Sequence, residues 1–181
     1  MVKFNVIAGE DGIERIEHDI NVILTHDYNK LRQYIETSLQ FKKKFIEEDE
    51  FDRGVRILLN FAHTFGHAFE VSSNYAIPHG SAVAMGMMAA NHISVKRGFI
   101  EEEYACRIEK VCSKILTNIQ LQKDWFDDEV IIGAIRKDKK QTNKDITAVF
   151  IQQDHSLGVY RDVQEREIVE AVSHVVALMD R

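Results

Sequence analysis

One proline and nine glycines in 181 residues leave this chain few places to break a helix. Proline removes a backbone donor and clashes with the preceding turn, and each interior glycine costs about 1 kcal/mol relative to alanine. So few breakers commit the sequence to long helices, and its composition supplies a core for them. Hydrophobic residues make up 45% and charged residues 29%, ordinary for a soluble globule that needs no staples.

The apolar spacing locates the elements. In "DYNKLRQYIETSLQFKKKFIEEDE", Leu31, Tyr34, Ile35, Leu39, Phe45 and Ile46 recur at helical period, with Asp27 as the capping residue. "RGVRILLNFAHTFGHAFEVSS" is predicted as a second, continuous helix, followed by the turn "NYAIPHG". "SAVAMGMMAANHISVKRG" is apolar nearly all round and rich in small residues, which predicts a buried helix closely approached by its neighbours and stopped at Gly98. "IEEEYACRIEKVCSKIL" and "WFDDEVIIGAIRKD" predict two more helices, "DITAVFIQQDHSLGVYRDV" a β-hairpin, and "QEREIVEAVSHVVALMDR" a closing helix. Residues 1–25 read as a lead-in: "MVKFNVIAGEDG" as a strand or disordered, then the weakly amphipathic "IERIEHDINVIL". The expected fold class is mainly α with a small late hairpin, in one domain over residues 26–181.

A net charge of −6 argues against a nucleic-acid footprint, which needs a clustered excess of Lys and Arg. No apolar run reaches membrane length and no signal pattern opens the chain, so a cytoplasmic protein is expected. Cys106 and Cys112, six residues apart on one predicted helix, face different sides and read as reduced thiols.

Three histidines, His63, His67 and His79, fall in the most apolar segment. His63 and His67 are four apart and share a helix face. His79 follows a turn at the start of the next helix, where the chain can fold back. Three imidazoles are enough for a divalent metal with an open position. A single buried histidine is more often a hydrogen-bonded core residue. Arg56 and Asn60 fall on about the same helical face as His63. Lys42 lies one helix earlier, and Lys139 and Lys140 lie in "RKDKKQ". Solvated surface charge explains such residues in general; beside the histidines they suit an anion site.

The ordered set of Lys42, Asp49–Glu50, "RILLNFAHTFGHAFE" from Arg56 to Glu70, "HGSAVAMGM" from His79 to Met87, and Asp138–Lys139–Lys140 resembles the C-terminal domain of the 3-dehydroquinate synthases, members of the sugar-phosphate cyclases. The resemblance runs from about residue 38 to residue 150. It implies that His63 and His79 are metal ligands, with zinc (or cobalt) bound, and that the third ligand is a glutamate from an earlier helix. It implies that His67 faces the substrate phosphate, and that Lys42, Arg56, Asn60 and Lys139 hold substrate hydroxyls, carboxylate and phosphate. The implied substrate is the sugar phosphate 3-deoxy-arabino-heptulosonate 7-phosphate, converted to 3-dehydroquinate and phosphate in the shikimate pathway. NAD is expected on an upstream domain or a separate chain. The family also implies a homodimer.

Several positions depart from the family pattern. No G-x-G-x-x-G or βαβ segment for NAD occurs here. The nearest counterpart of the glutamate ligand is Glu14 in "GIERIEHD", without the pattern's Ala and Lys. Ala62 stands for the usual Gly, Ser81 for the usual Glu, and Asp52 where Glu is common. An isolated chain is therefore expected neither to bind NAD nor to turn over. Three alternatives stay open: another sugar-phosphate cyclase, a non-catalytic helical metal-binding or interaction module, and a hydrolase with His63, His67 and His79 on one metal.

Overall fold

The computed structural model describes residues 1–50, 54–117, 119–138 and 145–179. Among the described residues, eight α-helices and one hairpin follow in order: α1 Val2–Val6, α2 Glu10–Leu24, α3 Tyr28–Glu48, α4 His63–Ser72, α5 His79–Lys96, α6 Glu102–Leu116, α7 Asp128–Lys137, β1 Ile146–Ile151, β2 Leu157–Val163 and α8 Glu165–Met179. Short 3₁₀ turns cover Val55–Asn60 and Lys123–Phe126. The mainly helical class with a late hairpin is what the sequence predicts.

Helix α5 is the hub. It packs against α4, α6, α8 and β1, and Met85, Met87, Met88 and Ile93 on different sides of it are almost wholly buried. Its small residues let α4 come close: a Cβ built on Gly86 would lie 2.1 Å from the Ala62 carbonyl oxygen, so only glycine fits. The hairpin strands are antiparallel, with a register shift between Ile146 and Ala148. Asp27 caps α3 by accepting from Lys30 N at 2.8 Å. After α5 the chain turns at Gly98, whose φ is +69°.

Two expectations are corrected. The opening twelve residues, read as a strand or as disordered, form α1 and the start of α2, and α2 runs on through the weakly amphipathic stretch to Leu24. Ile13, Ile16, Ile20 and Ile23 of α2 are all buried, at spacings of three and four that put them on one helical face. The helix expected over residues 53–73 is instead two pieces. Ala62 takes a left-handed conformation (φ 69°) between the 3₁₀ turn and α4. That break is sterically costly for alanine, by roughly 1–2 kcal/mol. It turns α4 so that its first residue, His63, starts a new face.

Candidate metal centre and cation-lined cleft

The first turns of α4 and α5 bring the three imidazoles together. Ring centroids lie 5.3 Å apart for His63–His67, 5.6 Å for His63–His79 and 6.2 Å for His67–His79. His63 and His67 are one turn apart on α4. His79 opens α5 directly after Pro78, whose extended backbone (φ −60°, ψ 143°) starts the helix.

Each imidazole has a different neighbour. His63 Nδ1 lies 3.2 Å from the Phe61 carbonyl oxygen and 3.3 Å from Lys3 Nζ. Burial, and then the Lys3 charge, lower its pKa to about 4, so the ring is neutral at pH 7. In the tautomer that donates Nδ1–H to Phe61, Nε2 keeps its lone pair for a cation. His67 Nδ1 lies 3.4 Å from Asp138 Oδ2. His79 Nδ1 lies 3.1 Å from Glu70 Oε1. A carboxylate behind an imidazole is the arrangement that fixes a metal-binding tautomer and raises its basicity.

A cleft of 670 Å³ opens beside the cluster, lined among others by Lys3, Lys42, Arg56, Asn60, His63 and His79. Asp49 holds the backbone ahead of Arg56: its Oδ2 accepts from Gly54 N at 2.7 Å and from Arg56 N at 3.1 Å. Arg56 Nη1 donates to the Glu50 carbonyl at 3.3 Å. A smaller recess on the other side of His63 is lined by His67, Asp138 and Thr147. Cations around a neutral imidazole favour an anionic ligand, with arginine matching a planar carboxylate or phosphate edge.

The structure thus gathers His63, His67, His79, Lys42, Arg56 and Asn60 in one region. Glu14 is exposed on α2 and lines neither the cleft nor the recess. Lys139, Lys140 and Asp52 lie outside the described residues. Two members escaped the sequence reading. Lys3 is 8% exposed on α1, and its Nζ donates to the Leu59 carbonyl at 2.6 Å. A lone charge inside "VKFNVI" was its only signal. Glu70 stands three residues after His67, and that i, i+3 spacing was its signal. The donor set suits a divalent metal of the zinc type: ligand atoms of His67, Glu70 and His79 all lie within 4.8 Å of one another.

The 3-dehydroquinate synthase C-terminal family matches residues 1–141. The 3-dehydroquinate synthase of Dictyoglomus turgidum is 30% identical over 171 residues, which are 94% of this chain and 47% of that protein. The chain spans about half the length of the curated relatives it matches. Among solved structures, the 2-epi-5-epi-valiolone synthase of Streptomyces hygroscopicus subsp. jinggangensis, with NAD+ and Zn2+ bound, superposes with a TM-score of 0.76 at 17% identity, covering 91% of this chain and 46% of that one. A 2-deoxy-scyllo-inosose synthase complexed with carbaglucose-6-phosphate, NAD+ and Co2+ gives 0.69 at 21% identity, covering 81% of this chain and 42% of that one. At these identities the likeness is one of fold.

Proposed function

The chain belongs to the 3-dehydroquinate synthase C-terminal family, and from that premise we propose that it is the metal- and substrate-binding half of a cyclase converting 3-deoxy-arabino-heptulosonate 7-phosphate into 3-dehydroquinate and phosphate. The observation that carries this reading is the cleft that sets His63 and His79 beside Lys3, Lys42, Arg56 and Asn60. His63 and His79 would hold a divalent metal, zinc or cobalt, which when bound polarises a substrate hydroxyl. Arg56 offers its fork to a carboxylate or phosphate edge. Lys3 and Lys42 supply point charges that lower the cost of a dianionic leaving group. Asn60 can both donate to and accept from substrate hydroxyls. His63, neutral at pH 7, does not repel a cation. NAD would come from the other half of the enzyme, in the same chain or a separate one.

The test is reconstitution. The 181-residue chain is mixed with the NAD-binding half of the D. turgidum relative, NAD and Zn2+, and phosphate release is followed. Release from the heptulosonate phosphate that needs both halves, and that Arg56→Ala lowers by about 100-fold or more, supports the reading. Release only from a phosphorylated sugar lacking the carboxylate would transfer the chain to another cyclase, in the company of the valiolone and inosose synthases. No release from any of them overturns it.

A further inference from the structure

A second cavity, of 360 Å³, lies where the hairpin tip packs on α6 and the start of α2. It shares no lining residue with the cleft or the recess beside the histidines. Two of the residues that line it carry orphaned polar atoms: Tyr104 Oη and His155 Nδ1 are buried without a hydrogen-bond partner. A buried polar group left in that condition costs stability until something satisfies it. We propose that this cavity binds a primary ammonium compound, held by Tyr104, His155 and the carboxylate of Glu103. The site uses no metal, no NAD and no second half, so it stands or falls apart from the cyclase reading.

The chemistry of the wall selects that ligand. Tyr104, on α6, is 9% exposed, and its ring meets the His155 ring edge-on, with centroids 4.8 Å apart. Burial, and then the nearby Glu10 charge, push the Tyr104 hydroxyl up to about 12. It therefore stays a phenol that can accept as well as donate. His155 stands at the hairpin tip in a left-handed conformation (φ 61°), its backbone N–H donating to the Gln152 carbonyl at 2.9 Å. Its Nε2 faces Glu10 Oε2, 3.9 Å away. In the tautomer with the proton on Nε2, Nδ1 is a lone pair in want of a donor. Arg107 does not supply one, because its guanidinium is taken up by Glu10 and Glu17. Glu103 is exposed on the cavity's edge and has no ion pair among the described residues.

A primary ammonium brings three N–H donors and one positive charge. The wall offers two acceptors without donors and a carboxylate without a cation, and the Tyr104 ring adds an aromatic surface that favours a cation. An anionic ligand would instead meet Glu10, Glu101 and Glu103 together. The His155 side chain, 31% exposed, is the movable wall, and turning its ring opens both orphaned atoms to the cavity. The volume suits a small molecule.

The experiment titrates butylamine into the 15N-labelled 181-residue chain near neutral pH and follows amide shifts. Butyltrimethylammonium, which carries the same charge and no N–H, is the paired probe. Butylamine is expected to move the Tyr104, Gln152 and His155 amides with a Kd of about 1 mM or tighter. Butyltrimethylammonium is expected to bind at least about tenfold more weakly, having nothing to donate. Tyr104→Phe is expected to weaken butylamine binding about tenfold while leaving the Tm of the free chain unchanged or higher, because it removes an unpaired hydroxyl. Glu103→Gln, an exposed change that spares the fold, is expected to weaken it by about three- to tenfold. Absence of shifts at about 20 mM butylamine overturns the proposal. So does equal affinity for the two probes, which would leave a diffuse acidic surface only. Unchanged affinity in Tyr104→Phe, or a lower Tm for its free chain, overturns it as well, since the hydroxyl would then be either unused or already satisfied.

Discussion

Helix α5 carries a histidine near each of its ends, and the surroundings of the two could hardly differ more. At the start, His79 sits at the mouth of an open cleft, beside two other imidazoles and a set of cations. Near the far end, His92 stacks on His174 of α8, ring centroids 4.3 Å apart. His174 Nε2 in turn lies 2.7 Å from Glu109 Oε1 of α6. The second cluster is closed on itself: its two imidazoles face one another, and His174 has Glu109 as a partner. Gathered histidines alone therefore do not mark a site here. What supports the proposed site at the open end is the exposed edge of His79 and the cations of the cleft that it lines.

The largest expected effect tests how the open end is built. Gly86→Ala puts a Cβ 2.1 Å from the Ala62 carbonyl oxygen, a backbone atom with no room to move. Forcing α4 and α5 apart is expected to cost about 3 kcal/mol and to lower Tm by about 6–12 °C. The α4–α5 approach is also what brings His63 and His67 to His79, so the same variant is expected to lose metal binding where it still folds. A Tm within 2 °C of the parent would show that the open end does not depend on that approach.

Next in size comes a crossed pair of substitutions. His92→Ala removes a half-buried ring from its stack and is expected to cost about 1–2 kcal/mol in chemical denaturation, with Co2+ binding unchanged. His79→Ala removes an exposed ring and is expected to stay within about 0.5 kcal/mol in stability, with Co2+ binding lost. If both variants lost stability and kept the metal, the contrast between open and closed ends would fail.

The sequence revealed these ends unequally. Apolar spacing located α6, α8 and the hairpin, because one face of each meets the core, and α5 showed itself as apolar all round; in α3 the helical period held although Ile35 and Leu39 turn out exposed. It did not reveal α1 and α2, where a β-branched, glycine-punctuated opening resembled a strand; Gly12 is instead where α2 crosses α1, its Cβ position 2.1 Å from the Asn5 carbonyl oxygen. It missed the break at Ala62 because neither Gly nor Pro marks it. His63, His67 and His79 stood out as an apolar anomaly. Lys3 and Glu70 did not, since their roles come from contacts across helices and across a turn. Ala62 joins these points, for the family's usual glycine at this position takes a left-handed φ without strain. Ala62→Gly is expected to stabilise the chain by about 0.5–1 kcal/mol, the relief of strain being partly offset by the greater freedom of glycine when unfolded. A lower Tm for this variant would mean that the Ala62 methyl, 2% exposed, contributes more through packing than it costs in conformation.

The smallest effect concerns acid. Burial lowers the pKa of His92 to about 4, helped by the charges of His174 and Lys96 and opposed by Glu170. Glu109 of α6 holds His174 from the other side. An unfolded histidine titrates near 6.5. Between these values the unfolded chain takes up a proton that the folded chain refuses. Stability is therefore fully present above about pH 6.5 and declines as pH falls toward 4. His63 contributes in the same direction from the open end, so both rings add to the parent's acid slope. His92→Asn removes one of them. The His92 ring is half-exposed and screened by water, which keeps its share well under about 1 kcal/mol. The drop in Tm between pH 7 and pH 5 is accordingly expected to be about 1–2 °C smaller in His92→Asn than in the parent. His63→Asn should reduce it independently, because the two rings lie at different ends of the helix and share no partner. Equal slopes in parent and His92→Asn would show that His92 adds nothing to the acid response.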